Sequence, residues 1–321
     1  MKPMNPTSFA ISKEDIVAAG RAIKAAKRVA VISPKNLDGD SLGSCSALYL
    51  LMKQLGKESV LMCLADIPDN LKCIPRTESY VKELNVDDWD LFIVPDTADP
   101  KLTGMLESHP DLFNGKKEVI NLDHHVTNTR WGTLNLIDPE CASATMAVYR
   151  LMRSWNVKPT SDMATAMMTG LYTDTGSFMH SNTTPLAYEI GAKLLSLGAD
   201  LPKISKTVFR TTTVPTMKLW GRVLARAIQN KARVTVSYVL QSDFDELGQN
   251  PDHLSGVVDY LNAVPENRFS ALISEYNGRV KASLRALRDD VDLTKIAGIF
   301  GGGGHPKASG FSLPGRLVIE G

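Results

Sequence analysis

Apolar residues in the first half of the chain fall into short continuous runs, and longer helical stripes separate them. Residues 12–26 carry Ile16, Val17, Ile23 and several alanines at helical spacing, with Ser12 as N-cap. Arg28–Ser33 reads as a buried strand, and Ser44–Leu55 as a helix closed by Gly56. Further strands are expected at Ser59–Leu64, Leu91–Pro95 and Glu118–Leu122, and helices at Ala142–Trp155 and Ser161–Leu171. Strands that alternate with helices predict an α/β fold, a parallel sheet with helices on both faces. Such sheets bind ligands at the carboxyl ends of their strands.

The pattern changes after about residue 185. Pro185 to Gln229 is largely helical, with breaks at Gly198, Pro202 and Pro215. A second strand–helix series then begins: strand Val234–Leu240, helix Leu254–Val264, and two strands, Phe269–Tyr276 and Arg279–Arg285, around the hairpin signal Asn277-Gly278. Asp292–Phe300 reads as a helix capped by Asp292, running into Gly301-Gly302-Gly303-Gly304-His305. The expected layout is a domain over 1–188, a helical connector over 189–229 and a smaller α/β domain with a mixed sheet over 230–321. No internal repeat or low-complexity segment interrupts it.

A chain of 321 residues exceeds one ordinary core, in keeping with two domains. Apolar residues make up 43% and charged residues 22%, the balance of a globular protein. A net charge of +1 argues against bulk nucleic-acid binding, so an anionic substrate must be attracted locally. Cys45, Cys63, Cys73 and Cys141 form no C-x-x-C pair and read as buried free thiols. The segment Met1–Pro6 leads into a charged helical pattern without a signal-peptide core, and no apolar run reaches membrane-spanning length. The expectation is a cytoplasmic protein with no membrane partner.

Candidate chemistry is concentrated where these strands end. Asp38 and Asp40 stand in Asn36-Leu37-Asp38-Gly39-Asp40, Asp96 in Val94-Pro95-Asp96-Thr97, and Asp123 opens Asp123-His124-His125. Asp174 follows in Tyr172-Thr173-Asp174-Thr175-Gly176. Alone, Asp-Gly-Asp is a common solvated turn, and Asp96 or Asp174 an ordinary cap or turn residue. Together they are carboxylates and imidazoles delivered to one rim, which predicts a two-metal hydrolase site, because hard divalent ions take carboxylate oxygen and manganese also accepts imidazole. Gly39 would permit a tight turn between the two carboxylates. In Gly301–Gly310 four consecutive glycines carry a large ordering cost, so a plain loop explains them poorly. Their amides could close around an anion, with His305 donating and Lys307 adding charge.

Taken together and in this order, these motifs resemble the DHH/DHHA1 phosphoesterase superfamily, and the resemblance covers nearly the whole chain. Size and layout are most similar to the nanoRNase type, which cleaves very short oligoribonucleotides and in many members dephosphorylates 3′-phosphoadenosine 5′-phosphate. Close relatives hydrolyse cyclic di-AMP or its linear product. The resemblance implies two Mn2+ ions, with Mg2+ or Co2+ as substitutes. Asp96 would bridge them, Asp38 would serve the first, and Asp40, His124 and Asp174 the second. His125 and Asp123 are the implied catalytic pair, with His125 facing the scissile phosphate. Ser283, Arg285, Gly302, Gly303, Gly304 and His305 would hold the rest of a short single-stranded RNA or nucleotide, in a cleft that selects for length. Arginine suits phosphate because its planar fork matches two oxygens. Long duplex nucleic acid is not an expected partner, and the resemblance also implies a homodimer.

One position departs from the pattern. The superfamily's first motif carries a metal-ligand histidine four residues before its first aspartate, where this chain has Pro34. Leu37 also replaces a common proline. The gap could be filled by water, by His180, or by Lys35 contacting phosphate directly. Retained activity is the favoured expectation, since every other motif is intact. A nucleotide-binding sensor with weakened catalysis is the alternative from a different class. A processive exonuclease or an inorganic pyrophosphatase of related fold is less favoured.

Overall fold

The computed structural model describes residues 9–180, 182–209, 212–288 and 290–318, so Met1–Pro6 lies outside the described residues. The chain divides into two compact units, 1–211 and 212–321, and the division falls inside the segment expected to connect two domains.

In the first unit, α1 (Lys13–Ala25) precedes β1 (Arg28–Ile32), α2 (Gly39–Gln54) and β2 (Glu58–Met62). The short β3 (Tyr80–Val81) follows, then β4 (Leu91–Pro95), β5 (Glu118–Asp123) and β6 (Leu134–Ile137). The unit ends with α3 (Ala144–Ser154), α4 (Ser161–Asp174), α5 (Pro185–Ser196) and α6 (Leu201–Phe209). The sheet order is β3-β2-β1-β4-β5-β6, and every pairing is parallel. Chain order reverses between β1 and β4, so a switch point lies at their carboxyl ends, where ligands bind in open α/β sheets. Four of the five β1 residues are buried, as a strand covered on both faces requires.

The two faces are covered differently. Val29, Val31, Leu91, Ile93, Ile120 and Leu122 pack against α1–α4. Ala30, Ile32, Phe92, Val94 and Val119 face Met105, Leu112, Phe113 and Trp131, which come from short 3-10 turns and loops instead of long helices. β3 and β6 were not legible as strands: β3 has two residues, and β6 alternates polar Asn135 with its leucines. Pro202 and Pro215 sit in the first turns of α6 and α7 (Val214–Ala225), so they start helices where breaks were expected.

The second unit contains α7, β7 (Ile228–Gln229), β8 (Val234–Val239), α8 (Gln241–Leu247), α9 (Val257–Asn262), β9 (Phe269–Tyr276), β10 (Arg279–Arg285), α10 (Leu293–Ile299), β11 (Gly303–His305) and β12 (Ala308–Pro314). Its sheet runs β11-β12-β10-β9-β8-β7; β8 pairs with β9 in parallel and the other pairings are antiparallel, the expected mixed sheet. The β9–β10 hairpin turns at Asn277-Gly278, both with left-handed backbone (φ 48° and 71°). All four cysteines are free and buried. Among the described residues no helix is long and apolar enough to cross a membrane.

Candidate metal centre

Helix α2 begins five residues earlier than its apolar stripe, because Asp38 caps it. The Asp38 side chain accepts from the Asp40 and Ser41 amides at 3.0 and 2.8 Å, and Ser41 Oγ accepts from the Asp38 amide at 3.0 Å. Gly39 is therefore not the apex of a solvated turn. It is the first helical residue, packed so that a Cβ there would lie 2.4 Å from Thr173 Oγ1.

Asp40 points inward, 1% exposed, onto the N-terminus of α3. Its carboxylate accepts from the Ala144 and Thr145 amides at 2.6 and 2.9 Å, which are donors without partners inside the helix. Asp96 follows β4 with left-handed backbone (φ 52°), which Asp tolerates better than most residues. Its amide donates to Leu122 O at 2.9 Å. Asp174 is the last residue of α4, which runs three residues beyond the helix expected over Ser161–Leu171.

His124 joins these three carboxylates. Its Nε2 lies 3.8 Å from Asp40 Oδ2, 3.7 Å from Asp96 Oδ1 and 3.6 Å from Asp174 Oδ2. Its Nδ1 stands 3.2 Å from Cys141 O. A carbonyl only accepts, so Nδ1 carries the proton and the Nε2 lone pair faces the carboxylates, the orientation shared by most metal-bound histidines.

Asp123 has a different role. Fully buried, it accepts from His125 Nδ1 at 2.7 Å, Asn128 Nδ2 at 2.6 Å and the His124 amide at 2.8 Å. Burial raises its pKa, but the bonds from His125 and Asn128 outweigh burial and hold it below the usual range. The same bond to Asp123 raises the His125 pKa against burial, while the His125 side chain stays 47% exposed.

The remaining carboxylates show the opposite electrostatics. Burial first, then repulsion from Asp40 and Asp38, pushes Asp174 up to about 8. Asp96 is raised well above the usual range by burial and by Asp40, Asp38, Asp123 and Asp174. Asp40 is raised by burial and by Asp38, although His124 opposes the shift. Carboxylates crowded in this way need a cation or shared protons to coexist. Two groups of convergent donor atoms result, Asp40–His124–Asp174 and Asp96–Asp123–His124–His125. Oxygen and imidazole donors with an oriented histidine fit a divalent ion.

Pro34 is buried beyond the end of β1, its carbonyl 3.7 Å from Cys63 Sγ, and offers no donor side chain. Neither suggested substitute is placed by these contacts at the centre: His180 Nδ1 meets Asp174 O at 3.3 Å, and Lys35 is exposed with its amide on Leu102 O. Sequence reasoning missed Asn128, the Cys141 carbonyl and the α3 amides. Only the last left a signal, Ser143 as an N-cap.

In the second unit the glycine run is not an open loop, since Gly303–His305 forms β11 and pairs with β12. Gly304 has φ 138°, and a Cβ there would lie 2.6 Å from Ala308 O, so only glycine fits. Arg285 and His305 both register with Ala308, from β10 and β11 respectively. Ser283 and Gly303 likewise both register with Gly310. Directly opposed residues share a sheet face, so Ser283, Arg285, Gly303 and His305 occupy one face, separated only by Ala308 and Gly310. Gly302 lies before β11, its amide donating to Ala297 O at 2.9 Å. Among the described residues no carboxylate pairs with Arg285, which donates to Leu284 O at 2.9 Å.

The comparisons agree with this architecture. Residues 28–171 match the model of the DHH family, N-terminal domain, and residues 231–320 that of the DHHA1 domain. The bifunctional oligoribonuclease and PAP phosphatase NrnA of Thermus thermophilus is 32% identical over 282 residues, 87% of this chain and 82% of the relative. Its namesake from Mycoplasma genitalium is 24% identical, covering 97% of this chain and 96% of its own. An exopolyphosphatase-related protein from Bacteroides fragilis superposes with a TM-score of 0.89 at 23% identity, over 97% of this chain and 94% of the other. RecJ from Thermus thermophilus, solved with Mn2+, superposes at 0.56 and 16% identity, over 96% and 53%. This chain belongs to the DHH family, with a DHHA1 domain as its second unit.

Proposed function

We propose that this DHH phosphoesterase is a manganese-dependent phosphodiesterase that hydrolyses very short oligoribonucleotides such as pApA to mononucleotides, and that it also removes the 3′-phosphate of 3′-phosphoadenosine 5′-phosphate. The observation that carries the reading is the convergence of Asp40, Asp96 and Asp174 on His124 Nε2, beside the separate His125–Asp123 pair. The names of the NrnA relatives support the substrate class.

Asp40, Asp96, His124 and Asp174 would hold the ion. When bound, a divalent ion neutralises phosphate charge and eases ionisation of water. Asp123 accepts from His125 Nδ1 and favours the imidazolium, so that the opposite nitrogen carries a second proton to give to the leaving oxygen. Arg285 and His305, set about 10 Å apart by two strand spacings, are assigned to the distal phosphate and sugar of the substrate. Metal and phosphate contacts do not read the base, which is why one centre serves both a diester and a monoester.

The test is release of AMP from pApA by pure protein with Mn2+, alongside Asp123→Ala. Turnover that disappears in the variant supports the reading. Stoichiometric pApA binding without turnover would favour a nucleotide sensor instead. Cyclic di-AMP and 3′-phosphoadenosine 5′-phosphate, assayed in parallel, rank the substrates.

A further inference from the structure

We infer that this chain holds one tight divalent-cation site, formed by Asp40, Asp96, His124 and Asp174, instead of the two ions its superfamily resemblance implies. The inference rests on reading the centre as a cation site, but not on which ester it cleaves.

The two groups of convergent donors do not make two sites. Both need His124, and His124 has only Nε2 to give, because Nδ1 is committed to Cys141 O. The larger group also needs Asp123. That residue is fully buried and already accepts from His125, Asn128 and the His124 amide. In the same group, His125 Nδ1 is spent on Asp123. Once these committed atoms are removed, a single set remains around His124 Nε2. Its oxygens lie 3.6–3.8 Å from that nitrogen. Donors about 2.2 Å from one ion stand roughly 3.0–3.6 Å apart, so a small inward movement closes the cage.

A first ion beside it would be poorly served. Among the described residues Asp38 belongs to neither group of convergent donors, and one of its oxygens already caps α2 with two bonds. The strand end that delivers Asp38 carries Pro34, buried and without a donor side chain. Only Asp38 and a share of Asp96 would remain. Two carboxylates compare poorly with three carboxylates and an oriented imidazole, so the two affinities should differ widely.

The experiment is equilibrium dialysis of the metal-free full chain against graded Mn2+, with bound metal counted by mass spectrometry and Mn2+ pairing read by electron paramagnetic resonance. The wild type should saturate at one ion, magnetically isolated, and a second should need at least about 100-fold more free Mn2+, since losing even an outer partner of a metal ligand costs about 10–100-fold and here a ligand itself is missing. Pro34→His should bring the second ion within about tenfold of the first and give a coupled spectrum. Two ions of similar affinity in the wild type, or none, overturn the inference. One ion in both proteins overturns the assignment of the deficit to Pro34. If Pro34→His fails to fold, the wild-type isotherm decides alone. Hydrolysis of pApA on the same samples is a separate reading: one ion without turnover sinks the proposed activity only, and two ions with turnover sink this inference only.

Discussion

Gly170 and Asp40 meet where α4 crosses the start of α2: a Cβ built on Gly170 would stand 2.5 Å from Asp40 Oδ1 and 2.4 Å from Thr145 Cγ2. The crossing is close because the carboxylate occupies the space a side chain would fill. Gly170→Ala in an exposed helix would gain about 1 kcal/mol from propensity. Here overpacking against a buried, doubly bonded carboxylate should outweigh that gain, with a net loss of roughly 1–3 kcal/mol. Urea unfolding of the metal-free protein should show the loss, and Mn2+ affinity should fall as Asp40 is displaced. An unchanged midpoint would mean that α2 and α4 can separate without cost.

Asn128 is the second group that no motif announced. Its Nδ2 donates to Asp123 Oδ2 at 2.6 Å and to Asn121 Oδ1 at 2.9 Å, bracing the carboxylate that orients His125. Asn128→Ala leaves a buried, charged acceptor short of a donor, a change worth about 1–3 kcal/mol. Asp123 should then titrate higher, and turnover should drop while bound Mn2+ persists, because the side-chain hydrogen bonds of Asn128 go to Thr97, Asn121, Asp123 and Arg130 and not to the four cage residues. Loss of metal together with activity would place Asp123 among the ligands.

These two cases mark what the sequence could show. Residues 29–32 of β1 and all of β4 are continuous apolar runs, and β5 is interrupted only by the buried Asn121 between Glu118 and Asp123, so their carboxyl ends, and with them Asp38, Asp96 and Asp123, were legible at once. The hairpin at Asn277-Gly278 and the Asp292 cap depend on local backbone chemistry and were equally legible. Asp174 was singled out just past the helical pattern Ser161–Leu171, and α4 extends three residues further to include it, a boundary that local pattern does not fix. The resemblance already set Asp123 with His125 apart from the other carboxylates, but no local pattern showed what holds them, because Asp123 depends on Asn128 and Asp40 on α3 amides 104 and 105 residues away. Nor was β11, since four glycines carry no strand signal and pair only because β12 lies beside them.

Arg285 should act on substrate and not on metal. It lies in the second unit on the same sheet face as His305, and Gly303, Ala308 and Gly310 leave the ground between them bare. Arg285→Ala should raise KM at least tenfold for pApA, with bound Mn2+ and melting temperature unchanged. Arg285→Lys should recover only part of the loss, because a point charge cannot make the paired bonds of the guanidinium. A fall in kcat at constant KM would instead assign Arg285 to the chemical step.

The pH dependence of stability should change sign when metal is added. In the metal-free protein burial, then the neighbouring Asp40 and Asp38, push Asp174 from the usual carboxylate range near 4 up to about 8. Between those values the folded state holds a proton that the unfolded state has released, so stability must decline as pH rises from about 4 to about 8. Asp96 and Asp40 are raised for related reasons and steepen the decline. Asp123 opposes it: its pKa is lowered, so its contribution is present above the unfolded value and is lost only in acid. A divalent ion binds the deprotonated carboxylates, so its affinity, and the stability it adds, must grow over the same interval. Thermal melts between pH 5 and pH 8 should therefore fall with chelator present and level off or rise with saturating Mn2+. Parallel curves with and without the ion would show that these carboxylates are already ionised in the metal-free protein, and that the crowding around His124 is relieved by something other than protons.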